Sequence, residues 1–354
     1  MQYGEYPTGA YELGALQNGM LHPLTLGDFR LETPVLLAPM AGVTDLPFRR
    51  RAQAAGAPYV VSEMVAGDQL ARSRGDMVRR AAGHGLVTPL VIQLAGREAR
   101  WMALGAQLAE DAGADVIDIN MGCPSKTVTN GLSGSALMRD PDHALRLIEA
   151  TVGATSKPVT LKMRLGWDAT SANAPVIAAR AAAAGVRMIV VHGRTRCQFF
   201  RGTADWSAIR ATVDAVDIPV IVNGDIATAD DARRALRESG AAGVMVGRAA
   251  QGKPWHTAAI ARALREGGEV VAPPPSEISA TLLTLYDDTL TFYGRDLGVR
   301  IARKHIAWAI DAGDLALSAA TRRAARADIC RMESPREVRQ SLERLFRNDW
   351  REAA

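Results

Sequence analysis

From Pro34 to about Trp255 the chain alternates between two patterns. Short, continuously apolar runs rich in β-branched residues are each followed by a longer, alanine-rich stretch with helical spacing. The runs predict strands over residues 35–40, 59–63, 90–94, 116–120, 159–163, 188–192, 220–223 and 243–247. Helices are predicted over 97–112, 141–151, 172–184, 206–213 and 228–239, with Gly56, Gly113, Gly185, Gly240, Pro158 and Pro219 marking junctions. Strands that are apolar throughout belong to a sheet covered on both faces. Eight of them, each followed by a crossover within about 220 residues, predict an α/β fold, the (β/α)8 TIM barrel. An open doubly wound sheet competes, but no GxGxxG follows the first strand.

Beyond the barrel the pattern changes. Residues 267–276, with Pro273-Pro274-Pro275, read as a linker. Residues 277–350 are helical in pattern, with apolar Leu282, Leu285, Leu290, Ile301, Ile306 and Ile310 and breaks at Gly294, Gly313 and Pro335. They predict a small bundle of about four helices. The expected organisation is an extension over 1–22, a barrel over 23–266, the linker, and a helical domain over 277–354.

Composition narrows this further. Of 354 residues 48% are hydrophobic, enough for a large core. Cys123, Cys197 and Cys330 lie far apart, with neither a disulfide framework nor CxxC metal spacing, which fits a reduced, cytoplasmic setting. The first 22 residues carry no signal-peptide pattern, and no apolar run reaches the length of a membrane span. Residues 295–347 hold 12 Lys+Arg against 7 Asp+Glu, while the remainder holds 30 against 31. All the excess positive charge therefore lies in the helical segment. A basic appendage on a near-neutral body suggests a polyanionic partner, with an ordinary solvated helical surface as the alternative.

The chemistry centres on residues 115–126, a buried strand running into a Gly122-Cys123-Pro124 turn. Pro124 stiffens that turn, and Gly122 is expected to let backbone approach a ligand closely. In a barrel the C-terminal strand ends face one site. They present Ala38-Pro39-Met40-Ala41, Glu63, Gln93, Asn120, Lys162, His192, Asn223-Gly224-Asp225 and Gly247-Arg248. Singly each has a plain alternative: Gln93 can end a strand, Lys162 can reach solvent along its stem, and His192 can be a satisfied core histidine. Together they suit a flavin phosphate. The loops at Asn223–Asp225 and Gly247–Arg248 offer backbone amides and a guanidinium. Lys162 can place positive charge beside the pyrimidine side of the ring. Gln93 and Asn120 supply donors and acceptors for its amide-like edge.

Six motifs in order, Ala38-Pro-Met-Ala-Gly-Val-Thr-Asp45, Asn120-Met-Gly-Cys-Pro-Ser125, Lys162-Met-Arg-Leu-Gly-Trp-Asp168, Val191-His-Gly-Arg-Thr-Arg196, Gly202-Thr-Ala-Asp-Trp206 and Asn223-Gly-Asp225, closely resemble the tRNA-dihydrouridine synthases. The likeness covers roughly residues 24–256, and the bacterial B-type, nitrogen-regulation-like branch is nearest. The resemblance implies an FMN enzyme that uses NADPH in preference to NADH to saturate the C5=C6 bond of selected tRNA uridines. It implies FMN contacts at Pro39, Met40, Ala41, Gln93, Asn120, Lys162, His192, Asn223, Gly224, Asp225, Gly247 and Arg248. Cys123 carries over as the proton donor to C5. A thiol suits that task, being acidic enough to give a proton yet mostly protonated at neutral pH.

The partners expected are tRNA and NADPH, with no membrane and no metal, and the protein is expected to be a monomer. For gripping phosphates the helical segment offers Arg300, Arg303 and Lys304, at i, i+3, i+4 spacing, together with Arg295, Arg322, Arg323 and Arg326. Two rivals stay open. One is a flavin barrel that reduces a free pyrimidine or small enone; it leaves the basic segment without a task. The other is an RNA-binding protein that retains FMN structurally, which the intact Cys123, Lys162 and His192 argue against.

Overall fold

The structure, a computed structural model, describes residues 21–313, 317–347 and 350. Most of the expected N-terminal extension lies outside these. The chain enters through a hairpin, β1 (Leu24–Leu26) and β2 (Phe29–Leu31), and then lays down nine parallel strands. These are β3 (Val35–Leu37), β4 (Tyr59–Val60), β5 (Val65–Ala66), β6 (Val91–Ala95), β7 (Val116–Met121), β8 (Val159–Arg164), β9 (Met188–His192), β10 (Val220–Asn223) and β11 (Gly243–Val246). Their order is β4-β3-β11-β10-β9-β8-β7-β6-β5. A parallel bridge between Val61 and Val91 joins β4 to β6, and Ser62 N–H donates to Val91 O at 3.0 Å. The ring is thereby closed, and the fold is the expected TIM barrel.

Strand 59–63, predicted as continuous, is broken. Ser62 Oγ accepts the Gln93 N–H (3.0 Å) and donates to Glu63 O (2.8 Å), so side-chain bonds replace the ladder before β5 resumes it. The first barrel strand ends at Leu37 rather than residue 40, because Pro39 has no N–H to donate. The stretch predicted as one helix over 206–213 is a 3-10 turn, Ser207–Ile209, followed by Arg210–Val213. Asp205 Oδ1 accepts the Ala208 N–H at 2.9 Å, and that local bond favours the tighter turn. The hairpin and the helices Leu46–Ala54, Gly67–Ala71, Gly75–Ala81 and His256–Glu266 were not foreseen.

Helices around the barrel bury one face at i, i+3, i+4, i+7, as Ala99–Asp111 does with Met102 and the small Gly105, Ala106 and Ala109. Larger residues fill the space in Pro141–Val152, where Leu147 and Ile148 are 0% and 1% exposed. Each such side chain contributes on the order of 1.5–3 kcal/mol of transfer free energy.

The C-terminal helices are Pro275–Tyr293, Arg295–Ala312, Ala319–Arg331 and Pro335–Phe346. The first begins inside the expected linker, because Pro275 is well suited to an opening helical position. They enclose their own core around Leu282, Tyr286, Ile306, Ile310, Ile329 and Leu342. This segment docks on helix Leu46–Ala54. Asp288 meets Arg50 and Arg51 at 3.2 Å each, and His305 stacks on Phe48 with ring centroids 5.4 Å apart. A Cβ on Gly252 would lie 2.4 Å from Ala309 N, so the two parts approach backbone to backbone there. Among the described residues no helix is long and apolar enough to cross a membrane.

Candidate active site

Along each strand the side chains alternate between the helical layer and the barrel interior. In β7 Ile117, Ile119 and Met121 join the main core, while Val116, Asp118 and Asn120 turn inward. The register sets Gln93 of β6 beside Asp118, Asp118 beside Thr160, and Asn120 beside Lys162. At the next level His192 pairs with both Arg164 and Asn223. The inward residues therefore form stacked rows that grow more polar toward the C-terminal mouth.

That mouth holds a cavity of about 1100 Å³. Cys123 and all twelve residues expected to contact cofactor line it: Pro39, Met40, Ala41, Gln93, Asn120, Lys162, His192, Asn223, Gly224, Asp225, Gly247 and Arg248. Met64, Arg164, Phe199, Phe200 and Ile226 share the lining. The lining thus combines apolar residues with the cationic Lys162, Arg164 and Arg248.

Hydrogen bonds hold the polar groups in fixed senses. Gln93 Nε2 donates to Asp118 Oδ2 at 2.6 Å, and Thr160 Oγ1 donates to Asp118 Oδ1 at 2.6 Å. Asn120 Nδ2 donates to Gln93 Oε1 at 2.7 Å. Asn120 Oδ1 accepts the N–H groups of Gly122 (3.2 Å) and Cys123 (3.0 Å). The Cys123 carbonyl in turn accepts from Ser135 N (3.1 Å) and Ser135 Oγ (2.8 Å), so both faces of the cysteine's backbone are held.

Lys162 does not reach solvent. It is 9% exposed and donates to Asn223 Oδ1 at 2.9 Å, while Asn223 Nδ2 donates to Met245 O at 2.8 Å. Burial, with Arg164 next to it, lowers the Lys162 ammonium to about 8, so it is charged at neutral pH. Burial, followed by the charges of Lys162 and three arginines, pushes His192 well below the ordinary histidine range. His192 is therefore neutral. Arg194 Nη1 lies 3.3 Å from His192 Nε2, and because a guanidinium only donates, Nε2 accepts and Nδ1 carries the proton.

Asp225 sits between two guanidinium groups, Arg194 at 2.5 Å and Arg248 at 3.2 Å. Burial alone would raise its carboxyl, but the Arg194 hydrogen bond, the Ala204 N–H and both charges hold it below the usual range. Gly224, with φ of +116°, precedes it, and a Cβ there would lie 2.8 Å from His192 Cδ2 and from Ala204 Cβ. Only glycine fits that turn. Gly122 differs: a Cβ there would make ordinary contact, 3.6 Å from Lys162 O, and its carbonyl accepts from Arg164 Nε at 2.8 Å. Packing within the protein therefore does not require the glycine expected at that position.

Sequence reasoning passed over Asp118, Arg164 and Arg194, which are 3%, 1% and 1% exposed. The signal was present as alternation: Thr160, Lys162 and Arg164 share one face of β8, and Arg194 stands two positions beyond His192. Arg164 donates to Thr195 O and Phe199 O at 2.9 Å each, tying the rim loop to the strand.

The basic side chains of the helical segment separate. Arg300 and Arg323 are exposed. Arg303 is half-buried, with its carbonyl accepting from Cys330 Sγ at 3.5 Å. Lys304 turns toward the barrel and lines a smaller cavity of about 240 Å³ with Asp45, Glu63 and Tyr293. The single solvent face expected for Arg300, Arg303 and Lys304 is therefore split, because the helix is packed on two sides. Arg322 is half-buried, and Arg326 pairs with Asp311 at 3.4 Å. Cys197 is exposed and Cys330 half-buried, both away from the main cavity.

The family model of dihydrouridine synthase (Dus) matches residues 36–348. The chain belongs to the dihydrouridine synthase family. A "Probable tRNA-dihydrouridine synthase" of Rhodobacter capsulatus is 58% identical over 304 residues, covering 85% of this chain and 93% of the relative. The family's B-type members are represented by "tRNA-dihydrouridine synthase B" of Pseudomonas putida, 45% identical over 80% of this chain and 84% of its own. Among solved structures, morphinone reductase has a TM-score of 0.51 at 16% identity, covering 73% of this chain and 92% of its own. A 2-naphthoyl-CoA reductase complex has a TM-score of 0.55 at 11% identity, covering 70% and 52%. These two share the fold.

Proposed function

We propose that this protein is a flavin-dependent tRNA-dihydrouridine synthase that reduces the C5=C6 bond of particular uridines in tRNA, with NADPH as reductant. The observation that carries the reading is Cys123 in the lining of a cavity that combines apolar residues with Lys162, Arg164 and Arg248, in a chain matched by the family over 36–348. The residues present suit FMN. Pro39, Met40 and Ala41 offer a surface for a ring, and Gln93, Asn120, Lys162 and His192 offer polar partners for its edge. Asn223, Gly224, Asp225, Gly247 and Arg248 surround the place for a phosphate, where the Asp225 carboxylate is offset by Arg194 and Arg248.

Reduced FMN, when bound, supplies the hydride that adds to C6 of the uracil. Cys123 gives a proton to C5, and its backbone, held by Asn120 and Ser135, keeps the thiol at the rim. Lys162 places positive charge where negative charge would otherwise accumulate, and neutral His192 donates through Nδ1. The target base leaves its stack to enter the cavity. Exposed Arg300 and Arg323 hold tRNA phosphates, with half-buried Arg303 and Arg322 on the same helices and Lys304 turned toward the barrel. We assign the extension and the barrel their expected limits, end the linker before Pro275, where the helical segment begins, and place the protein in the cytoplasm as a monomer.

The test is mass spectrometry of nuclease fragments after incubating purified protein with unmodified tRNA and NADPH. A gain of two hydrogens on a mapped uridine supports the reading. No gain on tRNA, with NADPH oxidised on small enones, overturns it in favour of a small-molecule reductase.

A further inference from the structure

Among the described residues Asp118 is the one carboxylate in the polar row inside the barrel, and it does not line the cavity. The sense of every bond in that row follows from its two ends. The N–H groups of Gly122 and Cys123 can only donate, so the Asn120 side-chain oxygen faces them and its nitrogen faces Gln93 Oε1. Gln93 then turns its nitrogen to Asp118, where an ionised carboxylate can only accept. Asn120 and Gln93 are amides and would tolerate the reverse sense on their own. The carboxylate removes that freedom, and Thr160 keeps it from rotating.

We propose that Asp118 is a positioning residue of the active site, fixing the Gln93 and Asn120 amides in the sense that holds the Cys123 loop. Its consequence for turnover rests on the reading of Cys123 as proton donor; the hydrogen-bonded row itself does not. Burial lifts Asp118 to about 6, and a carboxyl protonated at lower pH still offers an acceptor to Gln93 while its O–H turns to Thr160, so the row keeps its sense through that titration. The titratable groups around it hold their charge in that range. Tyr59 of β4 is kept protonated by burial, and Lys162 of β8, lowered only to about 8, stays cationic.

The experiment follows alkylation of Cys123 by iodoacetamide in the full-length protein as purified, read by peptide mass spectrometry with exposed Cys197 as internal reference. One hydrogen bond lost from the loop, about 1 kcal/mol, corresponds to roughly a fivefold faster Cys123 reaction in Asp118→Leu. Asn120→Ala should give a similar rise, and Asp118→Leu added to it should change the rate by no more than about twofold, because the two act through one row. Asp118→Asn keeps an acceptor for Gln93 and can donate to Thr160. It should stay near the wild-type rate at pH 7.5, and the wild-type rate relative to Cys197 should stay level below about pH 6. Unchanged Cys123 reactivity in Asp118→Leu, or an equal effect with and without Asn120, overturns the proposal. If Asp118→Leu melts below the working temperature, Gln93→Met cuts the row at its middle and carries the same expectations. The readout needs no tRNA, so a wild-type protein inactive on tRNA would count against the proposed function and leave this result to stand by itself.

Discussion

At the N-terminal end of the barrel Leu24, Leu26 and Leu31 of the hairpin cluster with Leu36, Val116 and Ile221, all 5% exposed or less. At the other end Gln93, Asn120, Lys162, His192 and Asn223 surround an open cavity. The same strands supply both, often two residues apart on one inward face: Val116, Asp118 and Asn120 in β7, or Met188, Val190 and His192 in β9. The difference lies in position along the axis. Apolar inward positions near the hairpin hold the barrel shut, and polar ones near the mouth are excused from packing because each has a hydrogen-bond partner.

Changes at the two ends should therefore separate catalysis from stability. The largest effect belongs to Cys123→Ala. It should lower uridine reduction by about 10²–10⁴-fold or more, while cofactor stays bound and is still reduced by NADPH. Normal turnover in single-turnover assays would remove Cys123 from the mechanism. At the closed end Leu26→Ala should cost about 2–5 kcal/mol in denaturant unfolding, with the turnover of folded protein unchanged. Gly224→Ala stands between the ends in character. Its positive φ and the 2.8 Å approach to His192 should cost about 1–3 kcal/mol and weaken cofactor retention, measured by equilibrium dialysis.

Smaller effects follow from charge. Lys162 in the folded protein loses its proton near pH 8, below its ordinary value of 10.5. Burying the cation is thus a penalty present below about pH 8, and relief of it should raise stability as pH climbs from there toward 10.5. Activity should fall over the same rise, because the positive charge is lost. Lys162→Met should abolish that part of both profiles, as followed by melting temperature and initial rate. The smallest effects belong to the helical segment. Arg300→Ala and Arg323→Ala should each weaken tRNA binding a few-fold and lower the salt slope by about one, in filter binding across several salt concentrations.

The barrel was legible because eight apolar runs are separated by helical periods, a signal carried by many residues at once. The strand-end residues were legible for a related reason: Gln93, Asn120, Lys162 and His192 are polar residues in the C-terminal half of otherwise largely apolar runs, which places them toward the mouth. What escaped was carried by too few residues or by contacts across the sequence. The hairpin strands are three residues each, too short for alternation to register. Asp118 looked like an interruption within an apolar run, and its partners on β6 and β8 appear only once the register is set. Lys304 resembled an ordinary surface lysine, because nothing local announces that its helix lies against Asp45 and Glu63.

The barrel wall also has an uneven weave. Between β4 and β6 the ring hangs on the Val61–Val91 bridge and the bonds of Ser62, whereas β7 and β8 share five paired residues. Ser62, Glu63 and Met64 thus occupy a window held by side chains, with the ladder resuming only at Val65. Met64 of that window lines the cavity. A substitution there can reshape one side of the chamber without unpicking a strand, which makes this short stretch an evolvable panel in an otherwise rigid hoop.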